Sequence, residues 1–106
     1  MNGLVYVELT EAAEIDLTDA TAWYMERSPE MARAFLLEFV RVKGLMEQNP
    51  RLWQEIEPGM RRALFRRFPY ALFYVEEPHR VLVLTVTHQR RHPDHWRSRL
   101  ELYRGS

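Results

Sequence analysis

Hydrophobic and polar positions change period twice along this chain. Residues 4–9 alternate Val5, Val7 and Leu9 against Tyr6 and Glu8, the pattern of a half-buried strand. From Thr10 the period becomes helical. Ala13, Leu17, Ala20 and Tyr24 recur on one stripe with Trp23 beside them, while Asp16, Asp19 and Glu26 fall on or near the other face. Thr10 is placed to cap this helix, with Glu11 and Glu14 in the first turn, where the helix dipole favours negative charge. Ser28-Pro29 predicts a stop at Arg27 and a fresh start, because Ser caps well and Pro suits the first helical position. The second helix carries Ala32, Phe35, Phe39, Val42 and Met46 on one stripe and closes before Asn49-Pro50. Two helices joined so tightly form an antiparallel hairpin.

After Glu57-Pro58-Gly59, a turn, the period falls to two. Met60 to Arg66 alternates Arg62 and Leu64 with Ala63 and Phe65. Phe68-Pro69-Tyr70 interrupts, Ala71 to Val75 reads as a strand, and Glu77-Pro78-His79 turns the chain again. Residues 81–86 are apolar on both faces and β-branched, which predicts a central strand. The stretch from His88 to Trp96 is polar and aromatic, with too few apolar positions for a core element. Trp23, Tyr24 and Trp53 are expected in or over the core. The order β-α-α-β-β-β predicts an α+β fold, with the hairpin on one face of a sheet built from the first strand and three antiparallel late strands. No linker or repeat divides residues 1–106, so one domain is expected.

Composition narrows the function classes. The chain has 106 residues, 46% apolar and 28% charged, the mixture of a soluble globular domain. Its longest purely apolar runs are strand-sized, far short of the roughly 18 residues of a membrane span. The N-terminus lacks the basic flank and apolar stretch of a signal peptide. The absence of cysteine excludes disulfides, thiolate zinc sites and cysteine nucleophiles, and fits a cytoplasmic protein. The four glycines are scattered, so no phosphate-cradling loop exists and no cofactor is expected.

The formal net charge of zero hides an asymmetry. Residues 1–60 carry 5 basic and 11 acidic side chains, whereas residues 61–106 carry 10 basic and 4 acidic ones. All four histidines lie in the second part, and only Lys43 among the basic residues is not Arg. Arg offers a planar fork for carboxylates and phosphates, so an Arg-rich half points to an anionic partner, a nucleic acid or an acidic peptide. Arg61, Arg62, Arg66 and Arg67 bracket a strand with Phe65, Phe68 and Tyr70 interleaved. These arginines line an anionic-partner groove, or they pair with Glu11, Asp16 and Asp19 of the first helix. Overall neutrality disfavours bare nucleic acid, whose affinity grows with each cation brought to a phosphate. An acidic peptide needs fewer contacts and adds main-chain pairing. His88, His92 and His95 have helical metal-ligand spacing, but Pro93 interrupts the helix that would align them, so no metal site is expected. Trp96 either anchors the tail to the sheet or belongs to a contact surface.

Four stretches together resemble the RelE/ParE superfamily of type II toxin–antitoxin toxins: residues 9–17, residues 23–29, residues 61–70 and residues 88–96. They are most similar to the ParE-like, plasmid-stabilisation branch. The resemblance implies a helical hairpin on a small antiparallel sheet and an antitoxin partner whose segment wraps the toxin. The RelE branch cleaves messenger RNA on the ribosome, whereas characterised ParE members inhibit DNA gyrase. Of the five positions that serve the interferase reaction, Arg62 and Arg90 keep a basic residue. The others hold Leu64, Ala71 and Trp96, and an indole N–H cannot act as a general acid. Messenger RNA cleavage would therefore need His88, His92 or His95 as acid or base. The leading expectation is a non-hydrolytic toxin, neutralised by a cognate antitoxin, that binds a target such as gyrase through Arg61, Arg62, Arg66, Arg67, Arg90, Arg91 and Trp96. The alternatives are a metal-independent interferase and a non-toxic binding module of the same fold.

Overall fold

The computed structural model describes residues 3–105. Met1 and Asn2, part of the N-terminus read above for a leader signature, and Ser106 lie outside the described residues. The chain runs β1 (Val7–Leu9), α1 (Glu11–Arg27), α2 (Pro29–Gln48), β2 (Glu55–Glu57), β3 (Met60–Leu64), β4 (Tyr70–Glu77), β5 (Arg80–His88) and α3 (Asp94–Arg104).

The hairpin forms for the local reasons its sequence contains. The Thr10 hydroxyl accepts from the Ala13 N–H at 3.1 Å. Ser28 serves both helices: its N–H closes α1 on the Tyr24 carbonyl at 2.8 Å, and its Oγ accepts from Met31 N–H at 3.3 Å to open α2. Ala32, Phe35, Phe39, Val42 and Met46 are all buried, as their spacing predicts.

The sheet order is β1-β5-β4-β3-β2, with β1 parallel to β5 and the other pairs antiparallel. Residues 81–87 of β5 are all buried, so the doubly apolar run does occupy an interior position. One face packs Ala63, Leu72, Tyr74, Val81, Val83 and Val86 against the hairpin. The opposite face gathers Met60, Ala71, Phe73, Val75, Leu82 and Leu84 with Leu100 of α3. Opposite Phe73 and Tyr74 the register of β5 slips, so Leu84 is an extra, bulged residue.

Four differences from the pattern-based expectation have physical causes. The first strand shrinks to three residues, because the Val5 N–H donates to the Glu47 carbonyl of α2 at 2.9 Å and not to β5. A further strand, β2, pairs with β3 across the Pro58-Gly59 turn. The segment expected to hold no core element leads into α3, whose Trp96, Leu100 and Tyr103 meet the sheet at i, i+4 and i+7. Trp23 is 49% exposed, while its neighbour Tyr24 is buried and the third residue expected at the core, Trp53, is half-buried against it.

Gly59 has φ of +84° with open space around it. Gly59→Ala should therefore cost about 1 kcal/mol from backbone strain alone. A urea denaturation midpoint indistinguishable from wild type would contradict this.

Candidate functional site

The turn between β3 and β4 alternates purpose residue by residue. Phe65 and Phe68 are buried against Phe35, with ring centroids 5.6 and 5.4 Å away, while Arg66 and Arg67 between them are exposed. Glu38, on the core side of α2, fixes this turn from below. It is only 6% exposed, its Oε2 accepts the Arg66 N–H, and its carboxylate is held by the Arg41 fork at 2.9 and 2.9 Å. The Arg41 hydrogen bonds outweigh burial, and the backbone N–H groups of Arg66 and Arg67 add to them, lowering the Glu38 pKa to about 2.

The turn after β5 is tied to the same end of the sheet. Gln89 donates from its backbone N–H to the Pro69 carbonyl at 2.7 Å and from its side chain to the Tyr70 carbonyl at 3.1 Å. Arg90 and Arg91 are thus brought to the end of the sheet that carries Arg66 and Arg67, and all four are exposed. Arg62 lies on β3, on the face of Met60. Among the described residues none of Arg62, Arg66, Arg67, Arg90 and Arg91 forms an ion pair. Arg61 differs: it points to the other face, donates to the Trp53 carbonyl at 2.7 Å and approaches Glu76 at 3.9 Å. Pairing of these arginines with Glu11, Asp16 or Asp19 is not what the fold builds.

Asp16 is used elsewhere. β1 reaches only Val83, so the outer edge of β5 beyond it has no strand partner. The Asp16 carboxylate fills that gap, accepting the Val86 N–H at 3.0 Å and the Thr85 hydroxyl at 2.9 Å. Arg99 of α3 grips the same carboxylate at 2.8 and 3.0 Å and donates to the Leu84 carbonyl at 3.0 Å. Burial pushes the Asp16 pKa up, but the Arg99, Val86 and Thr85 hydrogen bonds together bring it below the ordinary value. This clasp, joining α1, β5 and α3, was invisible to sequence reasoning because its partners lie 83 residues apart.

The three candidate histidines fall in three settings. His88 ends β5, and its Nδ1 accepts the Arg90 N–H at 3.1 Å, which leaves Nε2 as its donor when neutral. His92 is exposed and accepts the Asp94 N–H at 3.1 Å. His95 lies in the first turn of α3, 3.3 Å from the Thr85 hydroxyl. Burial, then Arg91 and Arg99, hold its pKa below the ordinary value, against the opposing pull of Asp16. Among the described residues no group of three His, Asp or Glu side chains is placed to hold a metal ion. Trp96 stacks on Phe73 at 5.4 Å with planes 16° apart, so its ring anchors α3 to the sheet.

Two surface features complete the site. The outer side of α2 carries a second apolar stripe, Leu36, Leu37 and Val40, of which Leu37 and Val40 are 62% and 59% exposed. With Met25 and Pro29 it borders a groove of about 360 Å³. The sequence of α2 carries this second stripe beside the core one. On the other side of the hairpin bend, a cleft of about 710 Å³ lies between α1 and the ends of β4 and β5.

This architecture is shared with solved toxin–antitoxin complexes. The ParDE system from P. aeruginosa is 18% identical, with a TM-score of 0.70 over 80% of this chain and 96% of the other. The RelBE2 complex from Mycobacterium tuberculosis is 26% identical, with a TM-score of 0.55 over 83% of this chain and 94% of the other. No curated protein matches the sequence. The class is that of type II toxin–antitoxin toxins. Within it, residues 7–93 match the model of the ParE toxin of the type II parDE toxin–antitoxin system, and the chain belongs to that family. Among the described residues no helix is long and apolar enough to cross a membrane.

Proposed function

We propose that this chain is a single-domain cytoplasmic ParE-type toxin of a plasmid-stabilisation module, neutralised by a cognate antitoxin and acting by binding a cellular target. Characterised ParE members inhibit DNA gyrase, and gyrase is the target assigned here. The observation that carries the reading is a pair of uncompensated handles: the exposed Leu36, Leu37 and Val40 stripe, and five arginines without carboxylate partners among the described residues. Exposed apolar stripes and unpaired arginines are features of contact surfaces. Near those arginines, Trp96 is stacked on Phe73 and His95 lies 3.3 Å from the Thr85 hydroxyl, so the interferase alternative rests on His88 and His92.

The antitoxin segment crosses the hairpin and reaches the sheet end near Arg62 and Arg90. Fixing a disordered segment costs roughly 1–2 kcal/mol of backbone entropy per residue, so the contact must be extended. Buried apolar side chains hold the complex and rim charges set its association rate. Replacing Arg62 and Arg90 together by Glu should slow antitoxin association by on the order of tenfold or more at low salt and flatten its salt dependence. Stopped-flow rates at two ionic strengths check this. Unchanged association and unchanged toxicity would remove the basic surface from the model. The function itself is tested by inducible expression with and without the neighbouring antitoxin frame, followed by a gyrase supercoiling assay and primer extension on transcripts. Supercoiling inhibition supports the reading. Cleavage at defined codons would favour the interferase, and growth unaffected by folded protein would favour the non-toxic module.

A further inference from the structure

Two concave surfaces flank the hairpin bend. Met25 and Pro29 border the apolar groove along α2, and two residues on in each case, Arg27 and Met31 open the larger cleft. A segment lying along the α2 stripe must therefore cross the bend to enter the cleft on its way to the arginine-rich sheet end.

The larger cleft has an apolar floor between walls of opposite charge. Ala20, Tyr24 and Val86 are buried beneath it, and Trp23 stands over it, 49% exposed. On the α1 wall Asp19 is exposed, and on the wall formed by the turn after β5 Arg91 is exposed; neither forms an ion pair among the described residues. The other charged groups there are already engaged. Asp16 is held by Arg99, and Arg27 donates to the Trp23 carbonyl at 2.7 Å while lying 3.5 Å above the Trp23 ring. His88 keeps its Nε2 for a ligand, because its Nδ1 accepts from Arg90.

We infer that this cleft is an anchor pocket for one large apolar side chain, aromatic by preference, of the antitoxin segment, with a neighbouring cationic residue on Asp19 and a neighbouring anionic residue on Arg91. The assignment rests on the antitoxin reading above and makes it specific, since it fixes a residue class and a charge order in the partner. A buried anchor surrounded by charge at the rim is how short segments obtain both affinity and register. A nucleotide suits the cleft less well: Arg27 already covers a face of Trp23, and Asp19 opposes a phosphate.

The test uses the full chain, isotopically labelled by cell-free synthesis, in nitrogen–proton correlation spectra. Three acetylated, amidated pentapeptides are titrated: Lys-Ala-Phe-Ala-Glu, its reverse Glu-Ala-Phe-Ala-Lys, and Lys-Ala-Ala-Ala-Glu. The Phe peptides should shift the Trp23 indole N–H and the Ala20 and Arg91 amides saturably, and bind about fivefold more tightly than the Ala peptide. The two charge orders should differ by about threefold, and the preference should reverse in the double variant Asp19→Lys with Arg91→Glu. Both positions are exposed, and the spectrum itself reports whether the variant is folded. Equal binding of Phe and Ala peptides, or a charge-order preference untouched by the swap, would overturn the pocket. Shifts confined to Leu36, Leu37 and Val40 would also overturn it while leaving the antitoxin reading intact. That reading falls separately if the neighbouring frame's product neither binds the chain nor relieves its toxicity.

Discussion

Glu38→Ala should destabilise the fold by about 3 kcal/mol, close to the cost of breaking a buried charged network by deleting one partner. The substitution leaves the buried-side N–H of Arg66 without its acceptor, removes the fork partner of Arg41 and opens a void beneath the β3–β4 turn. Glu38→Gln keeps the shape and one acceptor, and should cost less, about 1–2 kcal/mol. The pH dependence is specific. The folded pKa is depressed from 4.5 to about 2, so the stabilisation is fully present above pH 4.5 and is lost as pH falls toward 2. The shift corresponds to roughly 3 kcal/mol, reduced to about 2 because Arg41 remains partly solvated. Urea titrations of wild type and Glu38→Gln should therefore differ by a constant amount above pH 5 and converge as pH falls toward 2. Parallel curves across that window would mean that Glu38 acts by packing and not by charge.

The second large effect belongs to the clasp at the free edge of β5. Asp16→Ala should cost about 3 kcal/mol and loosen α3 selectively, because the Asp16 carboxylate is the acceptor that joins Arg99 to the Val86 N–H. Of the eleven residues of α3 only Leu100 is fully buried, and its first residue has no side-chain cap. Such a helix depends on its tertiary anchors. Hydrogen exchange should show the amides of 97–104 losing protection by one to two orders of magnitude while α2 changes only with global stability. Asp16→Asn retains an acceptor for Val86 and should recover part of the loss. Uniform loss of protection over all helices would refute a local clasp.

How much of this could be read from the chain depended on whether the signal was local. The hairpin was legible because Thr10, Ser28 and Pro29 announce its ends and the stripe from Ala32 to Met46 announces its inner side. β5 was legible as interior because both its faces are apolar. β2 was not, since three residues, two of them Glu, carry no periodic signal. α3 escaped for a related reason: three contacts spaced among arginines make a sparse stripe, and an exposed Leu102 blurs it. At the candidate site the sequence marked a group of arginines but could not separate them. Arg61 and Arg62 are adjacent, yet strand alternation sends one to a structural carbonyl and leaves the other free. The charge asymmetry between the two parts of the chain proved partly internal, through Arg99 with Asp16 and Arg80 with Glu8. The arginines left over from that pairing are the ones grouped at the end of the sheet.

The parallel pairing of β1 with β5 orders the events of synthesis. Val7 finds its partner Val81 only after 74 further residues have been made. Until then α1 and α2 can form and meet, but the side of the hairpin bearing Phe35, Val42 and Met46 lacks the cover of Val81, Val83 and Val86 from β5. Closing so long a separation also slows folding after release, because loop-closure entropy must be overcome before the β1–β5 pairing rewards it. A nascent chain therefore presents its exposed apolar stripe well before it possesses a completed sheet, and any partner that recognised the hairpin could engage the protein before the arginine-rich surface has been assembled.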